Sequence, residues 1–117
     1  MVKIKPGVKF TTISPSGYVI LEALKRTSKF LNIDLTITSA CEGTHSGVDD
    51  PHYLGEAYDV RSKDLGDNKQ LVLEHVRGLL DGNDFYSFIE SPGTINEHFH
   101  IQRKKNTIFT IQDYLAD

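Results

Sequence analysis

Two short segments that lie far apart in the chain most constrain how it can fold. The first runs from His52 to Asp59 and reads His-Tyr-Leu-Gly-Glu-Ala-Tyr-Asp, and residues 97–100 read Glu-His-Phe-His. Imidazole and carboxylate groups are both good zinc ligands, and the first segment has a glycine and an alanine between its two candidate ligands. Because the segments are distant in sequence, only a folded domain can build one metal site from them.

Hydrophobic periodicity predicts the elements that would carry these segments. Apolar residues at helical spacing predict helices over 17–31 and 67–80, and alternation predicts strands over 34–39, 57–61, 85–90 and 98–102. Residues 8–12 also alternate, which fits either a short strand or an irregular arm. A long polar loop over 42–51 leads into the first segment, and long loops in compact domains are often functional.

The predicted fold class follows from the order of these elements. Strands outnumber helices, and no connection demands a parallel crossover, so we expect an α+β protein with a mainly antiparallel β-sheet packed with two helices. The 117 residues fit a single domain over 1–117 with a core of modest size. No exposed apolar stripe requires a partner, so a monomer is expected.

Composition argues against several classes of function. A net charge of −3 and a pI near 5.9 argue against nucleic-acid binding, which needs clustered Lys and Arg. No stretch is long and apolar enough to span a membrane, and the amino terminus lacks the apolar core of a secretory signal. We therefore expect synthesis in the cytoplasm without a signal peptide, and no nucleic-acid or membrane partner. Cys41 is the only cysteine, so an internal disulfide is excluded.

The two segments resemble the signature of the zinc D-Ala-D-Ala carboxypeptidase and L-Ala-D-Glu endopeptidase family, the M15 peptidases, which includes phage endolysins. The pattern of that family is His-x-x-Gly-x-Ala-x-Asp, followed by an acidic residue three positions before a last histidine. Both parts match residues of this chain, at 52–59 and at 97–100. The resemblance spans roughly residues 18–102 and implies a Hedgehog/DD-peptidase-like fold.

The resemblance implies that His52, Asp59 and His100 bind one Zn²⁺ ion and that Glu97 is the catalytic base and acid. Three protein ligands leave a fourth position for water, and zinc lowers the pKa of that water towards neutrality. Glu97 would take the proton and later pass one to the departing amine. The implied activity is hydrolysis of an amide bond in peptidoglycan stem peptides, by an endopeptidase or D,D-carboxypeptidase that acts on the cell wall after release.

Two positions depart from the family pattern. Asp50 stands where a serine is usual, two positions before the first histidine, and residues 40–43 contain no arginine where the family usually has one. Arg61 and His98 are candidates to replace that arginine in substrate binding, and Tyr53 could line the cleft. Loss of an oxyanion donor typically costs about 10²–10³ in rate. The alternative function is therefore a catalytically impaired, zinc-stabilised binding or assembly module of the same fold.

The second segment also allows two geometries. If residues 97–101 form one regular strand, His98 and His100 point to one side and Glu97 to the other, and the two histidines could themselves bind zinc. The family pattern instead needs Glu97 in a turn before the strand. A set of His, Asp and His ligands accepts other divalent ions as well as zinc.

Overall fold

The computed structural model of the protein describes residues 1–43, 47, 49–105 and 107–115. These residues form a compact α+β domain with two helices, as the sequence predicts, and with a five-stranded sheet that contains one strand more than the four predicted. None of the helices in these ranges is long and apolar enough to cross a membrane. In chain order the elements are β1 (Val2–Ile4), α1 (Pro15–Leu31), β2 (Leu35–Ser39), β3 (Ala57–Arg61), α2 (Lys69–Leu79), β4 (Phe85–Glu90) and β5 (His98–Arg103), with 3₁₀-helices at Gly66–Asn68 and Ile111–Tyr114.

The sheet is mixed, which corrects the prediction of a mainly antiparallel sheet. Its strand order is β1-β2-β3-β5-β4. The pairs β2–β3, β3–β5 and β5–β4 are antiparallel. β1 instead pairs in parallel with β2, and α1 forms the crossover connection between these two strands. Sequence reasoning missed β1 because the strand has only three residues and leaves Ile4 exposed, so it lacks the alternation of a half-buried strand.

The arm between β1 and α1 is irregular, which decides between the two alternatives for residues 8–12. Residues 8–12 adopt no strand, and Lys9 is held by a backbone hydrogen bond that its carbonyl accepts from the Cys41 N–H at 2.9 Å. Val8 and Phe10 nevertheless pack partly buried against the core. The apolar alternation of residues 8–12 therefore reflects burial of one side of the arm, and these residues do not form a strand of the sheet.

The two faces of the sheet have different roles. Alternate residues of β3 and β5 point to opposite faces, as the period of a strand requires. Tyr58, Val60, Phe99 and Ile101 are almost fully buried and join the core formed with both helices. The intervening residues, including Asp59 and His100, point to the face that carries no helix. The candidate ligands on these strands are therefore separated from the core.

The start of α1 holds the first segment of the candidate site in place. Ser14 caps the helix by accepting a hydrogen bond from the Gly17 N–H at 3.0 Å, and Pro15 opens the first turn. The Ser14 hydroxyl also donates to the Gly55 carbonyl at 3.0 Å. A Cβ atom on Gly17 would lie 2.0 Å from that carbonyl oxygen, so only glycine allows this approach.

Gly55 has a second reason to be glycine. Its φ of +70° lies in the left-handed region, and a Cβ atom would come within 2.2 Å of the Thr12 carbonyl oxygen. The turn of the first segment thus packs backbone against backbone on both α1 and the arm before it. This packing sets where His52 and the start of β3 lie.

Candidate metal centre

The helix-free face of the sheet presents nine residues in three rows across β3, β5 and β4. Residues directly opposite each other on neighbouring strands have close Cβ atoms, so each row forms a line of adjacent side chains. The middle row contains two of the three predicted zinc ligands. The rows are Ala57, Gln102 and Tyr86; Asp59, His100 and Phe88; and Arg61, His98 and Glu90.

His52 reaches the middle row from the turn that precedes β3. Its backbone N–H donates to the Asp50 carboxylate at 2.9 Å, and the Leu54 and Glu56 N–H groups donate to the Asp50 and Pro51 carbonyls. Asp50, where the family pattern has serine, thus supports the turn that carries His52. The His52 side chain is buried, whereas Asp59 and His100 are half-buried.

His52, Asp59 and His100 form a compact cluster of potential ligands. One potential ligand atom from each residue lies within 4.8 Å of the other two. Among the residues that the structure describes, this is the one group of three or more His, Cys, Asp or Glu side chains close enough to hold a metal ion. Asp59 Oδ1 lies 2.9 Å from His100 Nδ1 and 3.5 Å from His52 Nε2. The fold therefore brings together the three ligands that the sequence predicts.

Hydrogen bonds on the far side of each imidazole determine which nitrogen faces Asp59. His52 Nδ1 donates to the Ala40 carbonyl at 2.8 Å, because a carbonyl can only accept. His100 Nε2 lies 2.8 Å from Gln102 Oε1, which also accepts. Acceptors that hydrogen-bond the far nitrogen in this way fix the tautomer of metal-binding histidines. In the neutral rings, unprotonated nitrogens therefore face the Asp59 carboxylate.

The spacing of these atoms fits a small divalent ion. Two ligands at zinc distances in a tetrahedral site lie about 3.4 Å apart. The 3.5 Å separation of His52 Nε2 and Asp59 Oδ1 matches this value, and the 2.9 Å separation of His100 Nδ1 and Asp59 Oδ1 is somewhat shorter. At 2.9 Å a neutral imidazole nitrogen and a carboxylate oxygen repel each other unless a cation, either a proton or a metal ion, lies between them. The donor set suits zinc and other divalent ions.

The pKa values of the cluster show how strongly its charges interact without a metal ion. Burial raises the pKa of Asp59, but hydrogen bonds from His100 and His52 in their protonated forms outweigh burial and hold it well below the ordinary value. Burial lowers the pKa of His52 and His100, but their hydrogen bonds to Asp59 outweigh burial and raise both. Asp59 therefore stays ionised at neutral pH and attracts a cation to this position.

Comparison with known proteins does not identify a relative. No protein-family model, curated protein or solved structure matches the chain. The likeness to the M15 peptidases thus rests on the two motifs alone, and the Hedgehog/DD-peptidase-like fold stays a prediction.

Glu97 lies in the turn just before β5, as the family pattern requires, but it is not a member of the metal cluster. Its carboxylate accepts hydrogen bonds from Lys69 at 3.0 Å, from Ser62 at 2.8 Å and from the Gly93 N–H at 3.1 Å. Lys69 also approaches its second oxygen at 2.8 Å. The hydrogen bond from Lys69, followed by those from Gly93 and Ser62, lowers the pKa of Glu97 to about 2.

The three predicted substrate-binding residues occupy different surroundings. His98 Nε2 lies 2.9 Å from Glu90 Oε1 and 3.7 Å from Asp59 Oδ2, so it borders the cluster. Arg61 faces His98 across the sheet and is half-buried on the same face. The Tyr53 hydroxyl donates to the Gly43 carbonyl at 3.1 Å, which links the turn before β3 to the loop that follows β2.

Sequence reasoning missed four contributors to the site. The Ala40 carbonyl carries no side-chain signal, whereas Gln102 could have been found, because it follows His100 by two positions and so shares its face. Glu90 and Phe88 become neighbours of His98 and His100 only through the pairing of β4 with β5. The Phe88 ring lies 5.3 Å from the His100 ring, centroid to centroid.

Proposed function

We propose that this protein is a zinc-dependent hydrolase that cleaves an amide bond in the peptide stems of peptidoglycan. One observation carries the metal part of the proposal: two imidazole nitrogens, each oriented by an acceptor on its far side, face one Asp59 oxygen at 2.9 and 3.5 Å. The motif resemblance supports the choice of substrate. The proposed partner is a peptidoglycan peptide, bound by a monomer, after the protein has reached the cell wall.

His52, Asp59 and His100 would hold the ion, with Ala40 and Gln102 orienting the two imidazoles. A zinc ion there would polarise the scissile carbonyl and lower the pKa of a water molecule beside it. Structural zinc sites are closed by four protein ligands, whereas catalytic sites keep one position open. Three clustered ligands, two of them half-buried on a face without a helix, favour the catalytic type.

Two carboxylates are candidates for the proton acceptor. Glu97 is the residue that the resemblance assigns, but a carboxylate with a pKa of about 2 is a weak base at neutral pH. Glu90 is exposed and hydrogen-bonded to His98, next to the cluster. Arg61 and His98, at the same end of the site, would bind substrate carbonyl or carboxylate groups in place of the family arginine.

The second candidate function is a zinc-stabilised binding or assembly module without turnover. The hydrogen bonding of Glu97 favours the binding module. Its carboxylate already accepts hydrogen bonds from Lys69, Ser62 and Gly93, which gives it a structural role. The missing arginine at 40–43 points the same way. Such a module would keep its zinc and its binding partner when either carboxylate is replaced.

The deciding experiment measures metal content and turnover of purified peptidoglycan on the same preparations. Wild type, Glu90→Gln, Glu97→Gln and His100→Ala are compared, with His75→Ala as a histidine control outside the cluster. We expect one zinc ion and defined muropeptides from wild type, no zinc in His100→Ala, and loss of turnover with retained zinc in one of the two glutamine variants. Mass spectrometry of the fragments names the bond.

Two results would count against the proposal in different ways. Zinc-loaded wild type that releases no fragment contradicts the hydrolase and leaves the binding module. Equal metal content in wild type and His100→Ala contradicts the metal centre itself.

A further inference from the structure

The charges of this acidic protein are strongly segregated along the chain. Residues 1–33 contain six Lys or Arg and one Glu, which gives +5, whereas residues 34–117 contain seven Lys or Arg and 15 Asp or Glu, which gives −8. The basic part comprises β1, the arm and α1. The small net charge of the whole chain, −3, is therefore the sum of one basic and one acidic region.

The structure displays this basic charge on the outer surface of α1. Lys25, Arg26 and Lys29 are exposed, and within the described ranges none of them forms an ion pair. Glu22 is the single acidic residue of the helix. Lys3 differs, because it pairs with Asp34 at 3.0 Å. Three unpaired cations within two turns of one helix create a local positive potential.

An apolar groove lies beside these cations, between β1 and α1. Its volume is 870 Å³, and Lys25, Lys29 and Glu22 form part of its wall. Ile4 and Ile13 line it and remain 55 % and 48 % exposed. On the other side of Lys29, Phe30 is 75 % exposed and stacks on the His75 ring at 4.8 Å. Exposed apolar patches next to polar residues mark interaction surfaces.

We propose that this surface, named the α1 face and formed by Lys25, Arg26, Lys29, Phe30, Ile4 and Ile13, docks on an anionic lipid bilayer. Lysine and arginine side chains attract an anionic leaflet, and apolar side chains beside them enter the boundary between headgroups and acyl chains. A soluble polyanion would use the cations but would leave the isoleucines and Phe30 in water. The combination of both side-chain classes favours the lipid surface.

Docking by the α1 face is compatible with a working metal centre. α1 packs on the Tyr58 and Val60 face of the sheet, whereas Asp59 and His100 point to the opposite face. A protein docked through α1 would therefore direct the metal cluster away from the bilayer. This proposal does not depend on the proposed hydrolase. It departs from the expectation of no membrane partner, which rests on the absence of a spanning segment and of a secretory signal.

The test is sedimentation with vesicles of phosphatidylcholine alone or mixed with phosphatidylglycerol, at about 0.1 M salt. We expect binding to the anionic vesicles only. Each neutralised lysine lowers binding about fivefold, so Lys25→Gln with Lys29→Gln should lower it about 25-fold. The matched control, Lys63→Gln with Lys105→Gln, changes net charge equally at exposed positions elsewhere and should leave binding nearly unchanged.

A fluorescence experiment tests the apolar part separately. The chain contains no tryptophan, so Phe30→Trp introduces a single probe, and Ile108→Trp provides a control at a position that is 94 % exposed. Anionic vesicles should shift the emission of the first variant to shorter wavelength and leave the second unchanged.

Three results would overturn the proposal. Equal loss of binding in both double glutamine variants would show attraction by net charge without a defined face. Binding to soluble polyphosphate with no blue shift at position 30 on vesicles would indicate a polyanion partner. A dimer in light scattering that Lys25→Gln with Lys29→Gln abolishes would show that a second copy covers the face.

Discussion

Asp59 and His100 lie directly opposite each other on β3 and β5, with Asp59 Oδ1 2.9 Å from His100 Nδ1. His100 Nε2 faces Gln102 two residues along the same strand, at 2.8 Å. The register of β3 against β5 thus supplies the metal-side contact, and the two-residue period of β5 supplies the contact that orients the ring. Each can be tested by substitution.

Gln102→Leu should weaken metal binding without removing a ligand. The leucine cannot accept from His100 Nε2, so the ring loses the contact that fixes its tautomer. Loss of a hydrogen-bond partner that orients a metal-binding histidine typically costs about 10–100-fold in metal affinity. Competition with a chromophoric chelator measures the change, and Gln70→Leu, an exposed position on α2, serves as the control. An unchanged affinity in Gln102→Leu would show that the orientation of His100 does not depend on this contact.

The ion pair of Glu97 with Lys69 should make the free energy of unfolding fall as the solution becomes more acidic. The pKa of Glu97 is lowered from 4.5 to about 2 in the folded protein, so the carboxylate contributes its full stabilisation above the ordinary value and loses it as the pH falls towards 2. We therefore expect wild type and Glu97→Gln to differ in free energy of unfolding at pH 6 and to converge as the pH approaches 2. Urea unfolding at several pH values measures this.

Lys69→Met separates the structural role of Glu97 from a catalytic one. If the pair only supports the fold, Lys69→Met and Glu97→Gln should lower stability similarly and leave turnover per folded molecule unchanged. If Glu97 is the general base, Glu97→Gln should lose about 10²–10⁴ in rate, because that is the usual contribution of a positioned base. The rate of Lys69→Met would then change far less.

Gly17→Ala and Gly55→Ala should both destabilise the fold. Each would place a Cβ atom 2.0 or 2.2 Å from a backbone oxygen, and overpacking of this kind typically costs about 1–3 kcal/mol. Gly78→Ala in α2 is the matched control, because a Cβ atom there meets nothing within 4 Å. Gly78 lies in the last turn of α2, so the change should stabilise by less than the roughly 0.5–1 kcal/mol typical of a helix interior. Thermal unfolding measures the change, with a lower Tm expected for Gly17→Ala and Gly55→Ala and a higher Tm for Gly78→Ala.

Phe88→Ala should affect substrate binding more than chemistry, provided that the protein is a hydrolase. The Phe88 ring borders His100 on the open face and is 37 % exposed, so it can contact substrate beside the metal cluster. We expect KM to rise while kcat and zinc content stay unchanged. The lost contact would bind the substrate equally in the ground state and in the transition state. Leu71→Ala, an exposed apolar position on α2, should leave both parameters as they are.

The sequence by itself determined the two helices and four of the five strands, and through the resemblance to the M15 motif it indicated His52, Asp59 and His100 as a candidate metal site. These follow from local rules: apolar spacing distinguishes helix from strand, and alternation places Asp59 and His100 away from the core. The chemistry of zinc ligands restricts the choice to residues such as His and Asp, and the resemblance to the family motif selects the three among them. None of these steps requires knowing which strands are neighbours.

Only the tertiary structure decided the features that depend on neighbours distant in sequence. The three-residue β1 forms because β2 offers it a parallel partner, and the sheet is mixed for that reason. Glu97 lies in the predicted turn, yet Lys69 and Ser62 hold its carboxylate, and no spacing in the sequence specifies those contacts. The Ala40 carbonyl orients the His52 imidazole from 12 positions away, and this hydrogen bond forms only when folding brings the two residues into contact.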